Sequence, residues 1–206
     1  MSPFRRMIKR RFSRMSDRGV ALVEMALVAP FLTLVAAGVM EYGLLWRDSL
    51  TLTSSTRAAA RIVSNLGDDV VADREALISL SAGLADTSNF TIEGVLIYDA
   101  TGQADGEPPA ACFDASDDPV AVSGLCNVYA AADLLDLESG RFDACTGSSP
   151  ITDFCPTARN SDQASGVALT SVGIWVRIQR DYVTGLFPGD GVTIEDHTVM
   201  RVEPSL

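Results

Sequence analysis

Hydrophobic and polar positions divide the chain into two regimes. From Val20 to Trp46, 27 residues run without Lys, Arg or Asp, and Glu24, Glu41 and Tyr42 are their ionisable groups. As a helix rising ~1.5 Å per residue this stretch reaches roughly 40 Å, more than the ~30 Å of a hydrocarbon core, so it predicts a transmembrane segment. Pro30 removes one backbone hydrogen bond and is expected to kink it, which bilayer helices tolerate. From Arg47 to Leu66 the helical period persists with a thinner stripe: Leu52, Ala59, Ile62 and Leu66 share one face, and Arg57 and Arg61 lie on another. Gly67-Asp68-Asp69 is the expected stop, since glycine favours the position just past a helix C-terminus. A second helix is predicted from about Asp73 to Ala85, burying Leu77, Leu80 and Leu84.

Beyond Phe90 the period changes to two. Phe90–Tyr98 reads as a strand closed by the turn Asp99-Ala100-Thr101-Gly102. Val167–Tyr182 is the clearest strand: Val172, Ile174, Val176 and Ile178 alternate with Gly173, Trp175, Arg177 and Gln179, which predicts one apolar face. The turn residues Gly185 to Gly191 lead into a strand over Val192–Val202, antiparallel to the first. Between these strand regions, residues 103–166 show little periodicity apart from a short helix expected over Ala130–Leu137, and they read as long loops. The fold class is therefore α+β: a long N-terminal helix, then a small domain with an antiparallel sheet. The expected divisions are a basic leader at 1–19, the helix at 20–66 and the α+β domain at 67–206.

Charge and cysteine usage add a compartment. Residues 1–18 carry a net +6, against −11 for the whole chain, so residues 19–206 carry −17. A basic arm abutting an apolar helix is the positive-inside signal, which predicts a cytoplasmic N-terminus and an exported acidic domain. Such a domain repels phosphate backbones, and no nucleic-acid partner is expected. All four cysteines, Cys112, Cys126, Cys145 and Cys155, fall in the exported loops, where disulfides persist. Their spacings fit no zinc pattern. Four cysteines allow three pairings, among which the sequence does not choose.

Glu24 is the residue that calls for an explanation, because a carboxylate within a span costs about 2.5–3.5 kcal/mol on insertion scales. Cleavage after Gly19 would create an ammonium at Val20 with Glu24 one helical turn further on, able to neutralise that amine or a neighbour's. Left uncut, Glu24 lies near enough to the interface to reach headgroups or water. An enzymatic reading would take Asp114, Asp117 and Asp118 as cation ligands and His197 as a base. The acidic loop lacks the ligand spacing of a calcium loop, and no nucleophile elbow, phosphate loop or metal-ligating histidine pair is present. No catalysis, cofactor or small-molecule substrate is expected.

The segment Gly19-Val20-Ala21-Leu22-Val23-Glu24-Met25-Ala26-Leu27-Val28-Ala29-Pro30, followed by Glu41-Tyr42-Gly43 and Arg57-Ala58-Ala59-Ala60-Arg61, resembles the N-terminal region of TadE-like proteins. These are pilin-like components of the tight-adherence (Tad) pilus, a branch of the type IV pilus machinery. The C-terminal Met200-Arg201-Val202-Glu203-Pro204 resembles the family's end as well. The resemblance implies a pilin-like fold, cutting between Gly19 and Val20 by a membrane-embedded prepilin peptidase, and Glu24 as the assembly carboxylate. It further implies a minor pilin or pseudopilin whose partners are other pilin subunits and the inner-membrane assembly platform. Val20 stands where type IV pilins often carry an aromatic residue, and the loops at 103–166 match nothing in the family pattern. Two other maturations remain open: release of residues 38–206 by a signal peptidase after Val35-Ala36-Ala37, or no cleavage, leaving a single-pass anchor with an interaction role unrelated to pili.

Overall fold

The computed structural model describes residues 4–85, 90–103, 105–185, 187–189 and 191–204, with side chains from Gly19 onward except that of Ser139. The side chains of the basic leader therefore lie outside the described residues, as do Leu186 and Asp190 of the expected turn. The chain packs as two units, residues 1–44 with 184–188, and residues 45–183 with 189–206.

Helix α1 (Phe4–Leu66) supplies the backbone of the first unit and continues through Pro30. Among the described residues it is the one helix long and apolar enough to cross a membrane, and its most apolar stretch buries nothing against the protein. Leu22, Leu27 and Phe31 stand 72%, 67% and 75% exposed. A run of bare apolar side chains this long is unfavourable in water and favourable in lipid, so this stretch of α1 has the length and surface of a single-pass membrane anchor. The Thr33 hydroxyl donates to the Ala29 carbonyl at 2.9 Å, which satisfies a polar side chain inside the apolar stretch.

In the second unit, the C-terminal part of α1 and helix α2 (Ala72–Leu84) cover one face of a four-stranded sheet. Its strands are β1 (Phe90–Asp99), β2 (Cys126–Tyr129), β3 (Ser171–Asp181) and β4 (Gly191–Arg201). Their order is β2-β1-β3-β4 and every neighbouring pair is antiparallel. Gly67 ends α1 in a left-handed conformation, φ +59°, and its N–H bonds the Val63 carbonyl at 3.0 Å. A side chain there would also crowd Val202, 3.1 Å from the added carbon.

The buried face of α1 differs from the expected stripe. It consists of Leu52, Ser55, Thr56, Ala59, Ala60, Val63 and Ser64, with Ile62 and Leu66 only partly covered. Counting aliphatic residues alone misplaced the face, because alanines and hydroxyls occupy it. Ser55 and Thr56 return their hydroxyls to the carbonyls of Thr51 and Leu52, at 2.8 and 2.9 Å, which makes their burial tolerable. Their small size lets α2 approach until Gly83 lies against Ser55.

Three further expectations are corrected. Strand β3 is buried on both faces along most of its length. Val172, Ile174, Val176 and Ile178 meet the helices, while Trp175 joins Leu96, Tyr98, Cys112 and Cys126 in a second apolar cluster beneath the excursion 110–126. The region 103–166 contains strand β2, so Cys126 is a strand residue, and Cys112 ends a turn of 3-10 helix. The expected short helix is confined to α3 (Ala131–Leu135).

Candidate functional site

Gly19, Val20 and Glu24 all lie on the continuous helix α1 and all are exposed. Among the described residues nothing lies within 4 Å of the position a Gly19 side chain would occupy. The structure thus offers these residues as an open helical surface, about a turn and a half long, with no second described element over it in the first unit. A peptide bond inside a helix is hydrogen-bonded and curled, whereas a protease needs it extended. Gly19, which disfavours helix by ~1 kcal/mol relative to alanine, is the residue of this turn that eases local unwinding.

Further along the first unit, Glu41 is 3% exposed and accepts the Thr184 backbone N–H at 3.2 Å. One turn earlier, the open side of Gly38 lies 3.8 Å from the Phe187 ring. The loop joining β3 to β4 therefore contributes Thr184 and Phe187 to the Gly38–Glu41 turn of α1. In the sequence Glu41 stands as an ionisable residue of the apolar run, with nothing beside it to indicate this contact. A carboxylate recurring at the far end of a span was the available signal.

The second unit holds two buried ion pairs that the sequence did not disclose. Asp48, just past the apolar run, pairs with Arg180 near the end of β3, and both side chains are almost fully enclosed. Arg180 also donates to the Asp181 carbonyl at 3.2 Å. Asp73, in the first turn of α2, meets Arg159 at 2.6 Å with both side chains at 0% exposure. The second Asp73 oxygen accepts from the Tyr129 hydroxyl at 2.8 Å and from the Asn127 amide at 3.0 Å. The Arg159 guanidinium lies 4.6 Å from the centre of the Phe154 ring. Burial first, and then the Asp73 charge, push the Tyr129 phenol well above its ordinary pKa. Asp73 precedes Ala76, Leu77 and Leu80 on the buried stripe of α2, so a charge sitting on an apolar face was the legible clue.

The cysteines join as Cys112–Cys126 and Cys145–Cys155. The first bridge is fully buried under the outer face of the sheet, whereas the second is half-buried in the segment that presents Phe154 and Arg159 to Asp73. The excursion closed by Cys112–Cys126 is pinned at three points. Phe113 packs edge-on to Trp175 with centroids 5.1 Å apart, and Pro119 sits over Gly94, where an added carbon would come within 2.9 Å of it. Arg177 donates to the Asp117 carbonyl and carboxylate at 2.7 and 2.9 Å and to Glu195 at 2.7 Å. Burial pulls the Arg177 pKa down, but Glu195 and Asp117 outweigh it and hold the value above normal.

The acidic loop is thus occupied with holding the fold. Asp117 serves Arg177, and Asp114 accepts the N–H groups of Ser116 and Asp118 at 2.8 and 3.0 Å. His197 is exposed on β4, paired in register with Trp175. Among the described residues no group of three His, Cys, Asp or Glu side chains is placed to hold a metal ion.

Compared with known proteins, residues 19–61 match the family model described as TadE-like protein. No curated protein and no solved structure is matched.

Proposed function

We propose, taking as premise that residues 19–61 are a TadE-like segment, that this chain is a minor pilin or pseudopilin-like subunit of a Tad pilus, acting by packing and without catalysis. The observation that carries the reading is the bare apolar surface of α1, which begins at the Gly19–Val20 boundary, carries a carboxylate five positions past the glycine, and lies wholly within the matched segment at its start. In this reading residues 1–19 are a cytoplasmic leader removed by a prepilin peptidase, residues 20–66 are the membrane and stalk helix, and residues 67–206 form the extracytoplasmic domain. The basic leader and the two disulfides support that orientation. Glu24 would receive the Val20 ammonium of its own or a neighbouring subunit, offsetting the cost of a charge in lipid. The partners are the peptidase, other pilin subunits and the membrane assembly platform.

Intact mass of the protein extracted from membranes tests the reading. A chain beginning at Val20, and a Gly19→Leu variant that retains the full leader, are expected. A chain beginning at Met1 would make it a simple anchor, and one beginning at Gly38 would make the domain a released product of signal peptidase.

A further inference from the structure

The sheet has two edges, and one of them has another segment of the chain beside it. Along β2 the Asn127 side chain accepts the Phe154 N–H at 2.7 Å and donates to the Phe154 carbonyl at 2.9 Å. Gly124 N–H bonds the Asp153 carbonyl at 2.6 Å, so residues 153–154 run beside this edge. At the opposite side β4 pairs with β3 in unbroken register from Ser171↔Arg201 to Asp181↔Gly191. Among the described residues no strand pairs with its outer side, and no described residue from Gly191 to Arg201 is buried. Thr53 reaches Asp196 from the helix face at 3.1 Å, and Gly106 lies against Val199 on the other face. These contacts cover the faces of β4, and at its C-terminal end the Ser64 hydroxyl donates to the Arg201 carbonyl, which leaves the edge before Arg201 without a partner strand among the described residues.

Native sheets blunt a free edge with lysine, proline, bulges or brevity, because a row of unpaired N–H and C=O groups recruits further strands. Strand β4 contains no lysine and no proline, has no register shift, and is as long as β3. Ile194 and Met200 on its helix side are only partly covered, so an added strand would complete their burial.

Charge selects the occupant. Antiparallel pairing of β4 with a second copy about its midpoint sets Asp196 opposite Asp196, and a shift of one residue sets Glu195 opposite Asp196. Parallel in-register pairing stacks both like pairs, and like charges directly opposite are destabilising. The −17 carried by residues 19–206 adds long-range repulsion between copies. We propose that the outer edge of β4 receives an extended segment of a different protein, with Lys or Arg opposite Glu195 and aliphatic or β-branched residues at the alternating positions, on the side of Ile194 and Met200. Main-chain hydrogen bonds supply the affinity and the alternate side chains the choice of partner. This surface does not depend on whether the chain enters a fibre.

The test uses the full-length protein in detergent and three short synthetic peptides: alternating valine and lysine, the same with a central proline, and the same with glutamate for lysine. The lysine peptide is expected to bind and to slow exchange of alternate β4 amides by about tenfold or more. The proline peptide, which cannot continue a ladder, should bind about tenfold more weakly, and the glutamate peptide should not bind. Equal binding of the lysine and proline peptides would reduce the effect to charge attraction and overturn the proposal. Binding that leaves β4 exchange unchanged, or no binding of the lysine peptide, would overturn it as well.

Discussion

Replacing Asp73 by alanine is expected to remove much of the stability of the second unit. Both partners of the Asp73–Arg159 pair are at 0% exposure, so the variant leaves a buried guanidinium with no carboxylate. Breaking such a pair from one side costs roughly 3–5 kcal/mol. The Tyr129 hydroxyl loses its acceptor too, which adds about 1–3 kcal/mol for a buried donor. Asn127 is spared the full penalty because its amide still donates to the Phe154 carbonyl. The sum, about 4–8 kcal/mol, is comparable with the whole stability of an ordinary domain, ~5–15 kcal/mol. Adding Arg159→Met removes the stranded charge, and the double variant should cost about 3 kcal/mol or less, because a buried pair replaced by apolar side chains is often neutral. The assay is urea unfolding of the full chain in detergent, followed by Trp175 fluorescence, with the two single variants and the double forming a cycle. A loss below about 1 kcal/mol for Asp73→Ala, or a double variant equal to the sum of the singles, would refute the reasoning.

Gly173→Ala should destabilise the sheet by about 1–3 kcal/mol, since the added carbon runs into the Tyr98 ring, which is fully buried and cannot swing aside; thermal unfolding checks this, and Tyr98→Leu in the same chain should restore part of the loss. Burial, helped by Glu107 at Tyr98 and by Asp73 at Tyr129, raises both phenols above their ordinary value of 10.0, so the fold binds their protons more tightly than the unfolded chain does. Their contribution is complete below about pH 10 and is lost as pH climbs toward the folded values, at up to ~1.4 kcal/mol per pH unit for each phenol, and Tyr129→Phe should flatten that slope in alkaline unfolding. Under native conditions a thiol reductant with alkylation should open the half-buried Cys145–Cys155 before the enclosed Cys112–Cys126, and peptide mass mapping that finds the reverse order would contradict the burial described. Loss of the first-opened bridge should cost ~3 kcal/mol in the chain-entropy model.

The elements that could be read in the sequence were those with a long, regular period. The apolar run to Trp46, the Leu77-Leu80-Leu84 stripe and the alternation through Ile178 each repeat often enough to fix element type and extent. Strand β2 has only the residues Cys126 to Tyr129, too few to show a period, and it owes its conformation to pairing with β1. The second apolar face of β3 was hidden because Trp175, Gly173 and Arg177 read as a mixed surface until Phe113 and the disulfide excursion are laid over them. The buried pairs were hidden by distance: Asp73 and Arg159 are 86 residues apart, and Asp48 and Arg180 132 apart. Gly19, Val20 and Glu24 were singled out for the opposite reason, by their local order along one helix, and their roles are part of the proposal.

The Asp48–Arg180 pair has a mechanical consequence. Tension drawn along α1 from its membrane end enters the second unit at Asp48 and passes to β3, the strand held by β1 on one side and β4 on the other. A load that reaches a central strand is carried by two ladders, whereas an edge strand would carry it on one. At its other end α1 is tied to the chain after β4 by the Ser64 carbonyl, which accepts the Glu203 N–H at 2.8 Å. With the Thr53 hydroxyl bonded to Asp196 of β4 between them, the helix is riveted at three points, and a pull along it is shared across the sheet.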